Sequence, residues 1–170
     1  MKRVNFEFKA RLQDEAAVRA ALKRLRARYV GRDHQIDTYF KVAQGRLKLR
    51  EGKIENALIF YDRSNAPRAR RAKIEMALLA RRNGMKAVLT KAFAVRTVVD
   101  KRREIYFVGN VKIHLDRVRG LGKFVEVEAL TRDGNLAQAR RQALKFQKLF
   151  AIKTSDIVGK SYADLKESGH

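Results

Sequence analysis

At 170 residues, 45% hydrophobic and 34% charged, the chain is long enough for one substantial core and more charged than an average globular domain. Its 40 Lys and Arg against 18 Asp and Glu give a net charge of +22, which attracts polyanions and disfavours cationic ligands. The absence of cysteine removes disulfides and thiolate metal sites, and no apolar run approaches the ~20 residues that span a bilayer.

The segment VNFEFKARL predicts a first strand over residues 3–11, with Asn5, Glu7, Lys9 and Arg11 on one face and Phe6, Phe8 and Ala10 on the other. Asp14 is placed to cap a helix over 15–28, whose Ala17, Ala20, Ala21, Leu22 and Leu25 supply apolar positions. Residues 29–41 are β-leaning, with a break near Gly31–Asp33. GRLKLRE (45–51), NALIFYDR (56–63) and ARRAKIEMAL (69–78) read as short strands punctuated by Gly52 and by Ser64–Pro67. Asn83 or Gly84 opens a helix to about Ala94. VRTVVDKRREIYFVG then passes through Gly109-Asn110, a two-residue hairpin signal, into VKIHLDRV, and GKFVEVEAL is the next strand. Asp133 or Asn135 starts a helix to about Phe150, and TSDIV and SYADLKES close the chain as short helical pieces.

About eight strands in long antiparallel runs, several helices and no regular βαβ alternation predict a single α+β domain over residues 1–170, a closed or nearly closed antiparallel β-barrel. The opening MKRVNFEFKARLQDE has no apolar h-region, so no secretory signal is expected and the cytoplasm is the expected location.

The polar positions of these strands are almost all charged, in both signs. Glu126 and Glu128 share a face of GKFVEVEAL, and Glu7 sits similarly on the first strand; hard divalent cations such as Mg²⁺ take such oxygen ligands. Lys9, Arg46, Lys48, Arg50, Arg63, Lys101 and Arg103 fall at spacings that converge in a barrel, where Arg forks grip phosphate oxygens and Lys acts as a point charge. Taken singly, each is more simply a salt bridge across the sheet. A mixed cluster on several strands suits a metal ion with a polyphosphate.

Other chemistries lack their signatures. There is no G-x-x-x-x-G-K-[ST] loop and no G-x-G-x-x-G opening a helix. His34, His114 and His170 have no metal-ligand spacing, which speaks against zinc. Ser64, His114 and Asp116 have no nucleophile-elbow context.

VNFEFKARL, HQIDTYFKVAQGRLKLRE, LIFYDR, VVDKRREIYFVGNVKIHLDRVRGLGKFVEVE and the closing SYADL together resemble the CYTH family, the class IV adenylyl cyclases and thiamine triphosphatases among the triphosphate tunnel metalloenzymes. The resemblance runs in order from about residue 3 to residue 166 and is most specific from His114 to Glu128. It implies a tunnel-like barrel of about eight strands with flanking helices, whose lumen binds a triphosphate with Mg²⁺ or Mn²⁺. Where the family has E-x-E-x-K, this chain has Asn5, Glu7 and Lys9, so an amide oxygen replaces the first carboxylate.

By the same resemblance, Glu7, Glu126 and Glu128 would hold metal with Asp116 as a helper, and Glu7 and Lys9 would be catalytic. Lys48, Arg50, Arg63, Lys101 and Arg103 would hold the triphosphate, with Arg46 a further candidate. Tyr39 and Tyr61 would pack or orient neighbours, and Asp100 stands where the family often has a base. The implied substrates are nucleoside, thiamine or inorganic triphosphates, either cyclised (ATP to cyclic AMP and pyrophosphate) or hydrolysed. Asn5 and the +22 charge motivate an alternative, a non-catalytic module binding polyphosphate or RNA. Strand edges and a helix face permit a monomer or a homodimer.

Overall fold

Period-two alternation gives most strands one charged face, and the fold turns the faces bearing Glu7, Asp37, Arg50, Arg103, His114 and Glu126 inward. The structure, a computed structural model, describes residues 2–62, 68, 70–81, 84–131 and 135–169. Its strands are β1 (Lys2–Arg11), β2 (Arg28–Phe40), β3 (Arg46–Glu51), β4 (Ala57–Asp62), β5 (Arg70–Leu78), β6 (Val95–Val108), β7 (Val111–Val118) and β8 (Gly122–Thr131). Its helices are α1 (Glu15–Arg24), α2 (Met85–Ala92), α3 (Leu136–Leu149) and α4 (Tyr162–Glu167), with a 3₁₀ turn at Thr154–Asp156.

The strands close into one barrel in the order β1-β5-β4-β3-β2-β6-β7-β8, each antiparallel to its neighbours. Closure pairs each strand with a neighbour on both sides, while residues 28–35 of β2 and 95–100 of β6 extend beyond the pairing on one side. Gly109 (φ 57°) supplies the left-handed backbone of the β6–β7 hairpin, where the Gly-Asn pair predicted it. The break expected near Gly31 is a register shift between Tyr29 and Gly31 inside one continuous strand.

The outward faces of β1 to β4, β7 and β8 are apolar and lie under helices, whereas β5 turns Arg71, Lys73 and Glu75 to solvent. Phe8, Ile113, Val125 and Val127 on β1, β7 and β8 pack beneath Val18 and Leu22 of α1 and Ala143 and Phe146 of α3. Phe40, Leu49 and Leu89 make a second cluster, with Leu58 and Met85 against it, where α2 covers β2 to β4. A third cluster lies at the barrel end where β7 turns into β8: Tyr162, Ala163 and Leu165 of α4 sit among Tyr39, Val99 and Phe124 and stopper that end.

Capping follows the residues named from sequence. Asp14 accepts the Ala17 amide at 2.8 Å and Asn135 accepts that of Gln138 at 3.0 Å. Helix α1 stops at Arg24 rather than reaching residue 28, because Arg26 turns left-handed (φ 49°) and the Ala27 amide closes back on the Leu22 carbonyl. Helix α2 starts after Gly84 and ends at Ala92, where Phe93 becomes extended to enter β6. Asn83 and Asp133, the other cap candidates, and the Ser64–Pro67 punctuation lie outside the described residues. No helix among the described residues is long and apolar enough to cross a membrane.

Candidate active site in the barrel lumen

Strand register decides which charges meet. Across β1 and β8, Glu7 stands opposite Glu128 and Lys9 opposite Glu126; across β7 and β8, His114 stands opposite Glu126 and Lys112 opposite Glu128. These side chains line a cavity of about 400 Å³ that also takes in Asn5, Lys48, Arg50 and Arg103. Of the residues singled out from sequence, Glu7, Lys9, Lys48, Arg50, Arg103, Glu126 and Glu128 thus meet in one lumen. Arg63 lies outside the described residues.

The acidic side has the character of a cation site. Ligand atoms of His114, Glu126 and Glu128 lie within 4.8 Å of one another. Burial, with Glu126 and Glu7 beside it, pushes the Glu128 carboxyl up to about 7. Like charges facing each other across a ladder are unfavourable unless a cation lies between them. Burial also opposes ionisation of Glu126, but Arg103 and His114 outweigh it and hold that carboxyl well below the usual range. Burial and Arg103 lower His114 to about 4, so its imidazole is neutral near pH 7, the form that ligates metals. Asn5 Oδ1 and His114 Nε2 are buried with no hydrogen-bond partner among the described residues. Carboxylate and amide oxygens with one imidazole fit Mg²⁺ or Mn²⁺.

The basic side is organised by internal carboxylates. Asp37 accepts Arg50 Nε and Nη2, both at 2.9 Å, Lys48 Nζ at 3.0 Å and Lys101 Nζ at 2.6 Å. Burial resists its ionisation, but Arg50, Lys101 and Lys48 together keep it well below the usual range. Arg103 forks onto Asp116 at 2.7 and 2.5 Å and reaches Glu126 at 2.7 Å. Asp116 also accepts the Tyr162 hydroxyl at 2.7 Å. Lys101 and Asp116 therefore stand behind the lining, as buried partners of residues that face the cavity. Lys9 lies 4.2 Å above the Tyr162 ring, and Arg46 donates to Asp164 at 3.1 Å near the stoppered end. Tyr39 and Tyr61 flank Lys48, whose ammonium is 5.4 and 5.6 Å from their ring centres. Asp100 faces away and contacts His34 at 2.8 Å.

Four site residues were not singled out from sequence. His114 is excluded by spacing along the chain, yet the alternation Lys112, His114, Asp116 puts all three on one face of β7, where Lys112 and His114 line the cavity and Asp116 lies behind it. That alternation is the signal that identifies Lys112 as well. Asp37 follows the same rule, two residues before Tyr39 on β2. Glu55 has no periodic signal, because it sits on the β3–β4 turn at the open end. That turn is built by buried Asp33, which accepts the Lys53, Ile54 and Glu55 amides at 2.7, 3.1 and 3.0 Å. The turn presents Glu55 to Arg50 at 2.8 Å and to Lys112.

A CYTH domain profile matches residues 4–162. The chain is 29% identical over 180 residues to adenylate cyclase CyaB of Aeromonas hydrophila, covering 97% of this chain and 90% of that one. It is 24% identical over 173 residues to a provisionally named adenylate cyclase of Methanocaldococcus jannaschii, covering 96% and 98%. A solved structure from Pyrococcus horikoshii superposes with a TM-score of 0.82 at 22% identity, covering 95% of this chain and 98% of that one.

Proposed function

The chain belongs to the CYTH domain family, and from that membership we propose that it is a divalent-metal-dependent enzyme that breaks a phosphoanhydride bond of a triphosphate substrate. The observation that carries this reading is the shared lumen: a carboxylate cluster with one neutral imidazole on β1, β7 and β8, beside a cluster of Lys and Arg. A triphosphate with its counter-cation needs both in one place.

In this reading Glu7, Glu126 and Glu128 hold the metal, with His114 and the Asn5 oxygen completing the oxygen-rich shell and Asp116 fixing Arg103 behind it. The metal, when bound, supplies charge neutralisation at phosphate oxygens and lowers the pKa of a nucleophile. Lys48, Arg50, Arg103 and Lys112 bind phosphate oxygens and stabilise charge that grows on the leaving phosphates. Lys9, packed on Tyr162 beside Glu126, contacts the phosphate nearest the metal. Lys101 acts through Asp37, keeping Lys48 and Arg50 aimed at the lumen. Glu55 occupies Arg50 and Lys112 at the open end, where incoming phosphate oxygens take its place.

The relatives carry the name adenylate cyclase. The first reaction to test is attack of the ribose 3′-hydroxyl of ATP on its α-phosphorus, with pyrophosphate leaving. Attack of water on the terminal phosphorus, releasing orthophosphate, is the second. Incubation with Mg²⁺ or Mn²⁺ and ATP, GTP, thiamine triphosphate or inorganic triphosphate, followed by product identification, separates them. Cyclic AMP with pyrophosphate supports cyclisation; orthophosphate without cyclic nucleotide supports hydrolysis. No turnover of any of the four, with salt-sensitive retention of polyphosphate or RNA, would make the protein a binding module instead.

A further inference from the structure

The lumen does not hold the surplus charge of the chain. Its bases are matched by its own carboxylates: Lys48, Arg50 and Lys101 on Asp37, Arg103 on Asp116 and Glu126, and Lys112 on Glu55. Most of the net charge of +22 therefore lies on the outside. There, past Leu115 and Val125, the outer faces of β7 and β8 turn basic. His34, Arg102, Arg117 and Lys123 stand opposite one another on β2, β6, β7 and β8, in one row across four adjacent strands. All four side chains are exposed.

Like charges directly opposite each other on a sheet are unfavourable. Acids answer this row only from its flanks: Asp100 contacts His34 at 2.8 Å, and Glu15, at the start of α1, takes Arg117 at 3.1 Å and Lys123 at 2.9 Å. The nearby Glu104 is already taken by Arg19 and Arg32. Arg102, inside the row, has no hydrogen bond or ion pair among the described residues. Hollows of about 160 and 270 Å³ open on the two sides of Arg102 and Arg117, the first bordered by Arg32 and the second by Arg119. A row of bases with a hollow along each side is a track for a chain of negative charges.

We infer that this outer row binds a single-stranded nucleic acid, with successive phosphates seated on Arg102, Arg117 and Lys123. The inference does not depend on the reading of the lumen. The row crosses three of the eight strand-to-strand steps, over a third of the barrel's circumference. At the usual strand spacing it runs ~14 Å along the wall, further than one phosphate reaches. A flat bilayer or a stiff duplex touches a curved wall along a narrow strip, whereas a flexible strand bends around it. Two outward places along β2 from His34, Tyr29 is 51% exposed, its ring centre 5.0 Å from that of Tyr106. An exposed ring beside a basic track is a surface on which a base stacks, and a bare phosphate chain gains nothing from it.

Fluorescence anisotropy of a short labelled oligouridine, titrated with the full chain at several salt concentrations, tests it. Arg102→Gln with Arg117→Gln is expected to weaken binding about tenfold at ~0.1 M salt and to reduce the salt slope by about 1.4. Arg140→Gln with Lys145→Gln removes the same charge from α3, which carries no acid, and is expected to leave affinity within about twofold. Tyr29→Ala should weaken oligouridine at least about fivefold and leave inorganic polyphosphate unaffected. Thermal melts confirm that the variants fold. Equal losses in the two charge-removing pairs would assign binding to net charge and overturn the inference. So would a duplex of the same length binding as tightly, a Tyr29→Ala variant that binds unchanged, or no binding at ~0.1 M salt. Each of these outcomes leaves the triphosphate reading of the lumen standing.

Discussion

Lys101 Nζ donates a 2.6 Å hydrogen bond to Asp37 Oδ2, and the two side chains are 0% and 1% exposed. Burial and the neighbouring Arg50, Arg103 and Lys48 pull Lys101 down to about 7, with Asp37 acting against them. The same carboxylate binds Lys48 and Arg50, so one buried anion organises three cations. Asp37→Ala leaves those cations uncompensated and is expected to cost about 3–5 kcal/mol of folding stability, measured by urea denaturation. A loss below about 1 kcal/mol would show that the cations find water or other partners.

The carboxylate cluster predicts dependence on a divalent ion. Chelation with EDTA should abolish turnover, and added Mg²⁺ or Mn²⁺ should restore it. Glu128→Gln keeps the shape of the site and removes one negative charge; kcat is expected to fall at least about 100-fold, from the loss of several kcal/mol of charge stabilisation. Because burial and two neighbouring acids raise Glu128 to about 7, neutralising it should not lower the thermal midpoint of the metal-free protein. A drop in that midpoint would assign Glu128 a structural role instead.

A second acidic group makes a prediction about acid stability. Arg19 donates to Glu104 at 2.8 and 3.0 Å, Tyr106 at 2.8 Å and Arg32 at 2.9 Å. The Arg19 bonds, against the opposing effect of burial and with help from Tyr106 and Arg32, bring Glu104 from 4.5 to about 2. Since the folded value lies below the unfolded one, the pairing stabilises fully above pH 4.5 and fades as pH falls toward 2. Urea denaturation between pH 7 and 2 should show a shallower acid loss in Glu104→Gln than in the parent protein; parallel curves would count against the pairing.

Gly52 predicts a steric effect at the open end. A Cβ there would lie 2.5 Å from Asp33 Oδ2 and 2.7 Å from the Glu55 carbonyl oxygen. One atom belongs to the turn and the other to Asp33, which holds the turn by three backbone amides. Gly52→Ala should destabilise by about 1–3 kcal/mol and, by displacing Glu55 from Arg50 and Lys112, change the KM for triphosphate more than kcat. An unaltered melting curve would show that the turn can shift at little cost.

Much of this site was readable because strands obey a strict period of two. Glu126 and Glu128, two apart on GKFVEVEAL, had to share a face, and so did Lys48 and Arg50 on GRLKLRE. Periodicity gives each strand's faces but not which strands adjoin. The opposition of His114 and Glu126 depends on the register of two strands and could not come from the spacing of histidines along the chain. Glu55 depends still more on tertiary structure, since a loop carboxylate reaches the lumen because Asp33, 22 residues earlier on the adjoining strand β2, folds the turn beneath it. The direction of the faces was also open. Apolar residues alternate as regularly as charged ones on β1, and only the helices packed over Phe8 and Val127 identify the outside.

Helix α4 has a consequence for traffic. With Tyr162 and Leu165 seated among Tyr39, Val99 and Phe124, α4 packs across the lumen at one end of the barrel. In the proposed reading, substrate enters and product leaves past the same groups, Arg50, Lys112 and the Glu55 turn. If arrival and departure share that mouth, a polyphosphate product competes with the next substrate for it, and added pyrophosphate is expected to inhibit turnover.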